Sequence, residues 1–136
     1  EISRRFYENF KKLDENCQAR LTIENDDKLN CWSVKELVDI FHPVTRIPIC
    51  FDYLHHKCHP NNLSECEAIN MCYDTWQTRP LFHYSESREG NNPRAHAEYA
   101  ENPFNTYGLE FDVDMELKGK DYAIERFENI CKGVMV

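Results

Sequence analysis

Four short apolar runs in this chain each end on a side chain able to ligate a metal: LTIE on Glu24, IPICFD on Asp52, LFH on His83 and FDVDME on Glu116. Carboxylates mixed with an imidazole suit Mn²⁺ best, with Zn²⁺ or Mg²⁺ as alternatives, whereas Ca²⁺ takes oxygen donors alone. Any one of the four could be an ordinary strand-terminal polar residue satisfied by loop backbone. Four independent strands ending this way point instead to one shared centre, because a parallel barrel gathers its strand ends on a single face. His55 follows Asp52 by three residues, close enough to serve a neighbouring metal, and His96 lies in a polar loop after His83.

The elements that must position these residues can be read from periodicity. Ile2, Phe6, Phe10, Leu13 and Cys17 recur every three or four residues, predicting one amphipathic helix over residues 2–17. A strand over Arg20 to Glu24 is stopped by Asn25, Asp26 and Asp27. Ser33 with Glu36 forms a capping box that opens a helix over Val34, Leu37, Val38 and Phe41, and Pro43 is expected to end it. Residues 47–52 are a continuous apolar run of the kind buried on both faces of a parallel sheet. The pattern then repeats. Ser64 and Glu67 cap a helix with the stripe Leu63, Cys66, Ile69, Tyr73 and Trp76, and Pro80 introduces a strand over Leu81 to Tyr84. An irregular segment from Ser85 to Gly108 is long enough to suggest that it does something. A fourth strand over Leu109 to Glu116 and a helix over Asp121 to Cys131 follow, with Ile124, Phe127 and Ile130 or Cys131 facing inward. A leading helix and four strand-helix units demand a parallel sheet with right-handed crossovers, an α/β fold.

Length and composition bound the reading. A complete eight-stranded barrel needs about 250 residues, and this chain has 136, so residues 1–136 are expected to form a single partial (β/α)-barrel domain. With 41% hydrophobic and 29% charged residues it has an ordinary globular composition. No apolar stretch approaches the roughly 20 residues of a membrane span, and no signal peptide is expected at Glu1, where a helical pattern is already under way. A net charge of −8 argues against a broadly basic nucleic-acid binder. It leaves room for a metal-dependent phosphodiesterase, since bound cations neutralise acidic ligands where the phosphate must sit. Seven scattered cysteines read as reduced thiols in an intracellular compartment, cytoplasm or nucleus.

Competing motifs fare poorly. His55, His56, Cys58 and His59 with Cys66 or Cys72 invite a structural zinc, but such sites pair two closely spaced ligands with a second close pair, and Cys66 and Cys72 are six apart on an expected helix. Four glycines, none suitably placed, leave no phosphate loop, nucleophile elbow or dinucleotide fingerprint.

The segments LTIENDDK, FDYLHHKCHP, RPLFHYSESRE, RAHAEY and DVDMELKGK resemble, in order and spacing, the C-terminal half of the ultraviolet damage endonuclease family, which belongs to the xylose-isomerase-like barrel superfamily. The resemblance runs from about Arg20 to Ile124. It implies about the C-terminal half of a (β/α) barrel in which Glu24 bridges two metals, Asp52, His83 and Glu116 complete the central site, and His55 and His96 hold a third metal. The implied reaction is hydrolysis of the phosphodiester 5′ to a damaged nucleotide in duplex DNA. The family usually carries a modified lysine two residues before the histidine matching His83, where this chain has Leu81. Its remaining ligands and lesion-probing residues belong to an N-terminal half. The isolated chain is therefore expected to be catalytically incomplete and to pair with the missing half or with a second copy of itself, covering the unpaired edges of its sheet. Two other classes carry the same ligands: a non-catalytic half-barrel that binds DNA, metal or protein, and a xylose-isomerase-like sugar isomerase or epimerase, which the HYSE and RAH motifs disfavour.

Overall fold

A computed structural model describes residues 1–88, 90 and 92–133; Glu89 and Asn91 of the long irregular segment lie outside the described residues. The chain is α/β, with two helices, α1 (Ile2–Phe10) and α2 (Glu15–Arg20), ahead of the first strand. The single helix expected over residues 2–17 is thus divided. Asp14 caps α2 by accepting from the Cys17 amide at 3.0 Å, and this competing side-chain bond restarts the helix on a new axis. Because α2 continues to Arg20, the strand that follows is shorter than expected, β1 (Ile23–Glu24).

Ser33 and Glu36 form the expected capping box at α3 (Val34–Glu36). The helix then widens into a π turn over Leu37–Phe41 and continues as α4 (His42–Thr45), so Pro43 does not end it. In the π turn the His42 amide reaches back five residues to the Leu37 carbonyl. That widening makes room for a proline ring that would otherwise strike the carbonyl four residues earlier. Termination comes at Arg46, whose φ of 59° is left-handed.

β2 (Ile49–Cys50) runs parallel to β1, pairing Ile23 with Ile49 and Glu24 with Cys50. β3 (Leu81–Tyr84) runs parallel to β4 (Asp112–Met115) in a four-residue register from Leu81↔Asp112 to Tyr84↔Met115. The two pairs are joined by a parallel bridge between Asp52 and His83, where the His83 amide donates to the Phe51 carbonyl at 2.9 Å. Below that bridge the Ile49 amide and carbonyl are satisfied by Thr75 Oγ1 (2.9 Å) and the Trp76 indole N–H (2.8 Å). The strands therefore meet only near their carboxyl ends.

Between β2 and β3 lie α5 (Tyr53–Cys58) and α6 (Glu65–Tyr73), the latter opened by the expected Ser64–Glu67 capping box. The buried face of α6 is Ala68, Ile69 and Cys72, not the stripe through Cys66, which is exposed. Among the described residues no helix lies between β3 and β4, correcting the expectation of four strand-helix units. The irregular segment makes that crossover itself. Its backbone is held by Glu86, whose carboxylate accepts from the Glu101 and Asn102 amides, and by Phe104, which stacks on Phe127 with centroids 5.5 Å apart. The last helix, α7 (Lys120–Cys131), turns Ala123 and Phe127 inward and leaves Ile124 and Cys131 exposed, again a shift of one position from the expected stripe.

The core lies between strands and helices, with Ile49, Phe51 and Phe82 fully buried. Pleating alternates side chains across a strand, so Cys50 and Asp52, and likewise Leu81 and His83, turn to the opposite face. All seven cysteines are free thiols. No helix among the described residues is long and apolar enough to cross a membrane.

Candidate metal centre

Glu24, Asp52, His83 and Glu116 stand at or just beyond the carboxyl ends of β1 to β4. Parallel pairing brings their ligand atoms to one place, all within 4.8 Å of one another. Each arrives by local folding that the sequence dictates. Asp52 is the N-cap of α5, accepting from the His55 amide through Oδ1 at 2.7 Å, which leaves Oδ2 directed into the cluster. Glu116 follows β4, and its amide donates to Tyr84 at 2.9 Å. His83 Nδ1 lies 3.4 Å from Glu24 Oε2 and 3.6 Å from Glu116 Oε1.

His55 and His96 flank this set without joining it. His55 Nδ1 is 3.0 Å from Glu24 Oε1, but its hydrogen bond goes to the Asn25 carbonyl at 2.8 Å. His96 Nδ1 makes the corresponding bond to the Glu116 carbonyl at 2.7 Å. A carbonyl can only accept, so both rings carry their proton on Nδ1 and leave Nε2 with a free lone pair. The structural zinc alternative does not assemble: among the described residues, Glu24, Asp52, His83 and Glu116 are the one group of three or more potential ligands close enough to share a metal.

Two residues here escaped sequence reasoning. Asn25, read as a strand stop, is buried and clamps Asp52 from both sides, accepting from its amide (2.9 Å) and donating to its carbonyl (3.2 Å). The run of polar residues after Glu24 hid it. Cys50, buried beside Glu24 in the β1–β2 register, lies against the His83 ring; its place two residues before Asp52, on the same side of a strand, is the signal that could have found it.

The electrostatics follow from this crowding. Burial disfavours a charged Asp52 and, with Glu24 close by, outweighs the His55 amide and ring to raise its pKa to about 6. Burial works the same way on Glu24, but the bonds and charges of His55 and His83 prevail and hold it down to about 2. His55 is opposed by burial yet raised to about 9 by Glu24, Asp52 and the Asn25 carbonyl. His83 is also raised, by the Cys50 thiol and Glu24. Without a cation, two adjacent carboxylates are balanced by protons on imidazoles. Even so, Glu24 Oε1, Asp52 Oδ2 and His83 Nδ1 remain buried without a hydrogen-bond partner. Orphaned donor atoms of this kind, converging from four strands, fit a divalent cation.

Parallel strands whose carboxyl ends converge on carboxylates and imidazoles define the class: an α/β protein with a candidate centre where such folds bind ligands. Comparison with known proteins narrows this. The chain belongs to the UV-endonuclease UvdE family, whose model matches residues 1–133. It is 34% identical over 131 residues to a UV DNA damage endonuclease of Bacillus cereus, a match covering 88% of this chain and 40% of that protein. One from Bacillus mycoides is 34% identical over 139 residues, covering 94% and 42%. Among solved structures, the crystal structure of SacUVDE superposes with a TM-score of 0.81 at 34% identity, covering 96% of this chain and 46% of that one. The chain thus spans about 40% of the length of the curated relatives it matches.

Proposed function

We propose that this chain is the C-terminal (β/α)-barrel portion of a metal-dependent DNA repair endonuclease, with residues 1–136 as one partial barrel domain, acting on damaged duplex DNA 5′ to the damaged nucleotide. The observation that carries the reading is the convergence of Glu24, Asp52, His83 and Glu116 with three buried, unpartnered ligand atoms among them. Glu24, Asp52, His83 and Glu116 are the catalytic and metal-binding residues. Glu24, between His55 and His83, is the bridging carboxylate, and His55 and His96 offer Nε2 to a further metal. Both rings donate Nδ1–H to a backbone carbonyl, the arrangement that fixes tautomer and orientation in a metal-ligating histidine. Mn²⁺ is the expected cation, with Zn²⁺ or Mg²⁺ as alternatives. Divalent cations in this position supply charge neutralisation and Lewis acidity for phosphodiester hydrolysis. The residues themselves orient the donors, hold the protons that the cations displace and offset the acidity of the chain where a phosphate must approach.

The open face favours a further partner. Leu81 is 43% exposed and Asp112 and Asp114 of β4 face outward. An N-terminal half of the barrel, or a second copy of the chain, would cover that surface. The role is intracellular, in cytoplasm or nucleus. The test is Glu24→Gln in the complete protein: incision of ultraviolet-irradiated duplex falls to background with the circular dichroism unchanged. Retained incision would refute the assignment.

A further inference from the structure

The four-donor set has a neighbour that the reading above does not use. Cys50 is the register partner of Glu24 across the β1–β2 ladder and stands two residues before Asp52, so its side chain shares their face of the sheet. It is 3% exposed, and its sulfur lies against the His83 ring. A buried cysteine commonly acts as a small apolar residue, and Cys72 does so here, packed in the core cluster with Ala68 and Ile69. Cys50 is placed differently. Its strand neighbours Ile49 and Phe51 turn into that core, while Cys50 itself turns to the face that carries Glu24, Asp52 and His83. The second sign of a ligand is Asp52, fully buried, whose Oδ2 points into the same space with no partner. On the β3 side of this space Leu81 offers no donor atom.

We propose that Cys50 supplies a sulfur donor to this centre, so that one of its metal positions takes a thiophilic divalent cation of the zinc class. The inference rests on the reading that Glu24, Asp52, His83 and Glu116 hold a metal. On binding, the sulfur gives a lone pair to the cation and its proton passes to solvent, with no change of oxidation state. Thiolate donors select zinc-like ions, whereas carboxylate and water ligands alone serve manganese and magnesium. A single sulfur among oxygen and nitrogen donors therefore tilts one position away from the metal its neighbours would choose.

The experiment titrates cobalt(II), a spectroscopic stand-in for zinc, into the chelator-stripped chain under reducing conditions and without oxygen. Expected are visible ligand-field bands together with a near-ultraviolet sulfur-to-cobalt charge-transfer band. Cys50→Ser loses the second and keeps the first, Cys66→Ser on the exposed side of α6 keeps both, and Cys50→Ser lowers the preference for zinc over manganese by at least about tenfold, the scale of a lost ligand-shell contact. Ligand-field bands without charge transfer in the unaltered chain would overturn the role of Cys50 and leave the four-donor centre standing. Absence of both would overturn the centre as well. Because the unaltered chain decides the matter, a Cys50→Ser protein that fails to fold does not rescue the proposal.

Discussion

Asp52 should cost the metal-free protein stability. It is fully buried, shares its cluster with Glu24, and has its pKa raised from 3.8 to about 6. A group whose folded pKa lies above its unfolded value favours folding when protonated, and that contribution is lost as pH rises through the folded pKa, here between about 4 and 6. At about 1.4 kcal/mol per pH unit, ionised Asp52 costs the fold up to about 3 kcal/mol at neutral pH. Asp52→Asn keeps an oxygen to cap α5 and replaces the unpartnered Oδ2 with an N–H donor facing Glu24. In chelator at pH 7.5 it should be more stable than the unaltered chain by about 2 kcal/mol, allowing for relaxation around the ionised group, read as a shift of urea midpoint at constant slope. At pH 5 the gap should shrink below about 1 kcal/mol, since Asp52 is then largely protonated. Saturating Mn²⁺ should reverse the order, because a ligand at a hundred times its dissociation constant adds about 2.7 kcal/mol to the form that binds it. Equal or lower stability of Asp52→Asn in chelator at pH 7.5, or a gap that persists at pH 5, would refute the view that this carboxylate is held in place for a cation.

Asn25→Leu should destabilise the chain by about 2 kcal/mol, because it strips both partners from the buried Asp52 backbone; a midpoint unchanged in urea would remove Asn25 from the support of the centre. His55, raised to about 9, contributes stability that is complete below about pH 6.5 and lost as pH rises through 9. The chelated chain should therefore lose about 1 kcal/mol between pH 6.5 and 9.5 after discounting for solvent around a partly exposed ring, and a flat profile would contradict the ion pairing with Glu24. Mn²⁺ binding at pH 7.5 should release protons, seen calorimetrically as heats that change with the ionisation enthalpy of the buffer; buffer-independent heats would show that the imidazoles do not give up protons to the metal.

Much of this protein is legible without coordinates. The types and order of the potential ligands, the alternation of strands with helices and both Ser-x-x-Glu capping boxes follow from local chemistry, since a cap or an amphipathic stripe is decided within one or two turns of chain. Where a local rule failed, a competing bond had won: the Asp14 cap split the first helix, and the π turn before Pro43 carried the second one past it. The site itself depended on distance in sequence. Glu24, Asp52, His83 and Glu116 are separated by about thirty residues each, and only the parallel register of the strand pairs, with the bridge between Asp52 and His83, turns four polar strand ends into atoms within 4.8 Å. The Asn25 clamp, the two Nδ1 bonds that aim His55 and His96, and the sulfur of Cys50 beside His83 are likewise products of packing. Sequence determined which donors this chain carries; the tertiary structure decided which of them meet, because pleat phase and strand register are fixed by burial across the whole sheet and not by any residue's own neighbours.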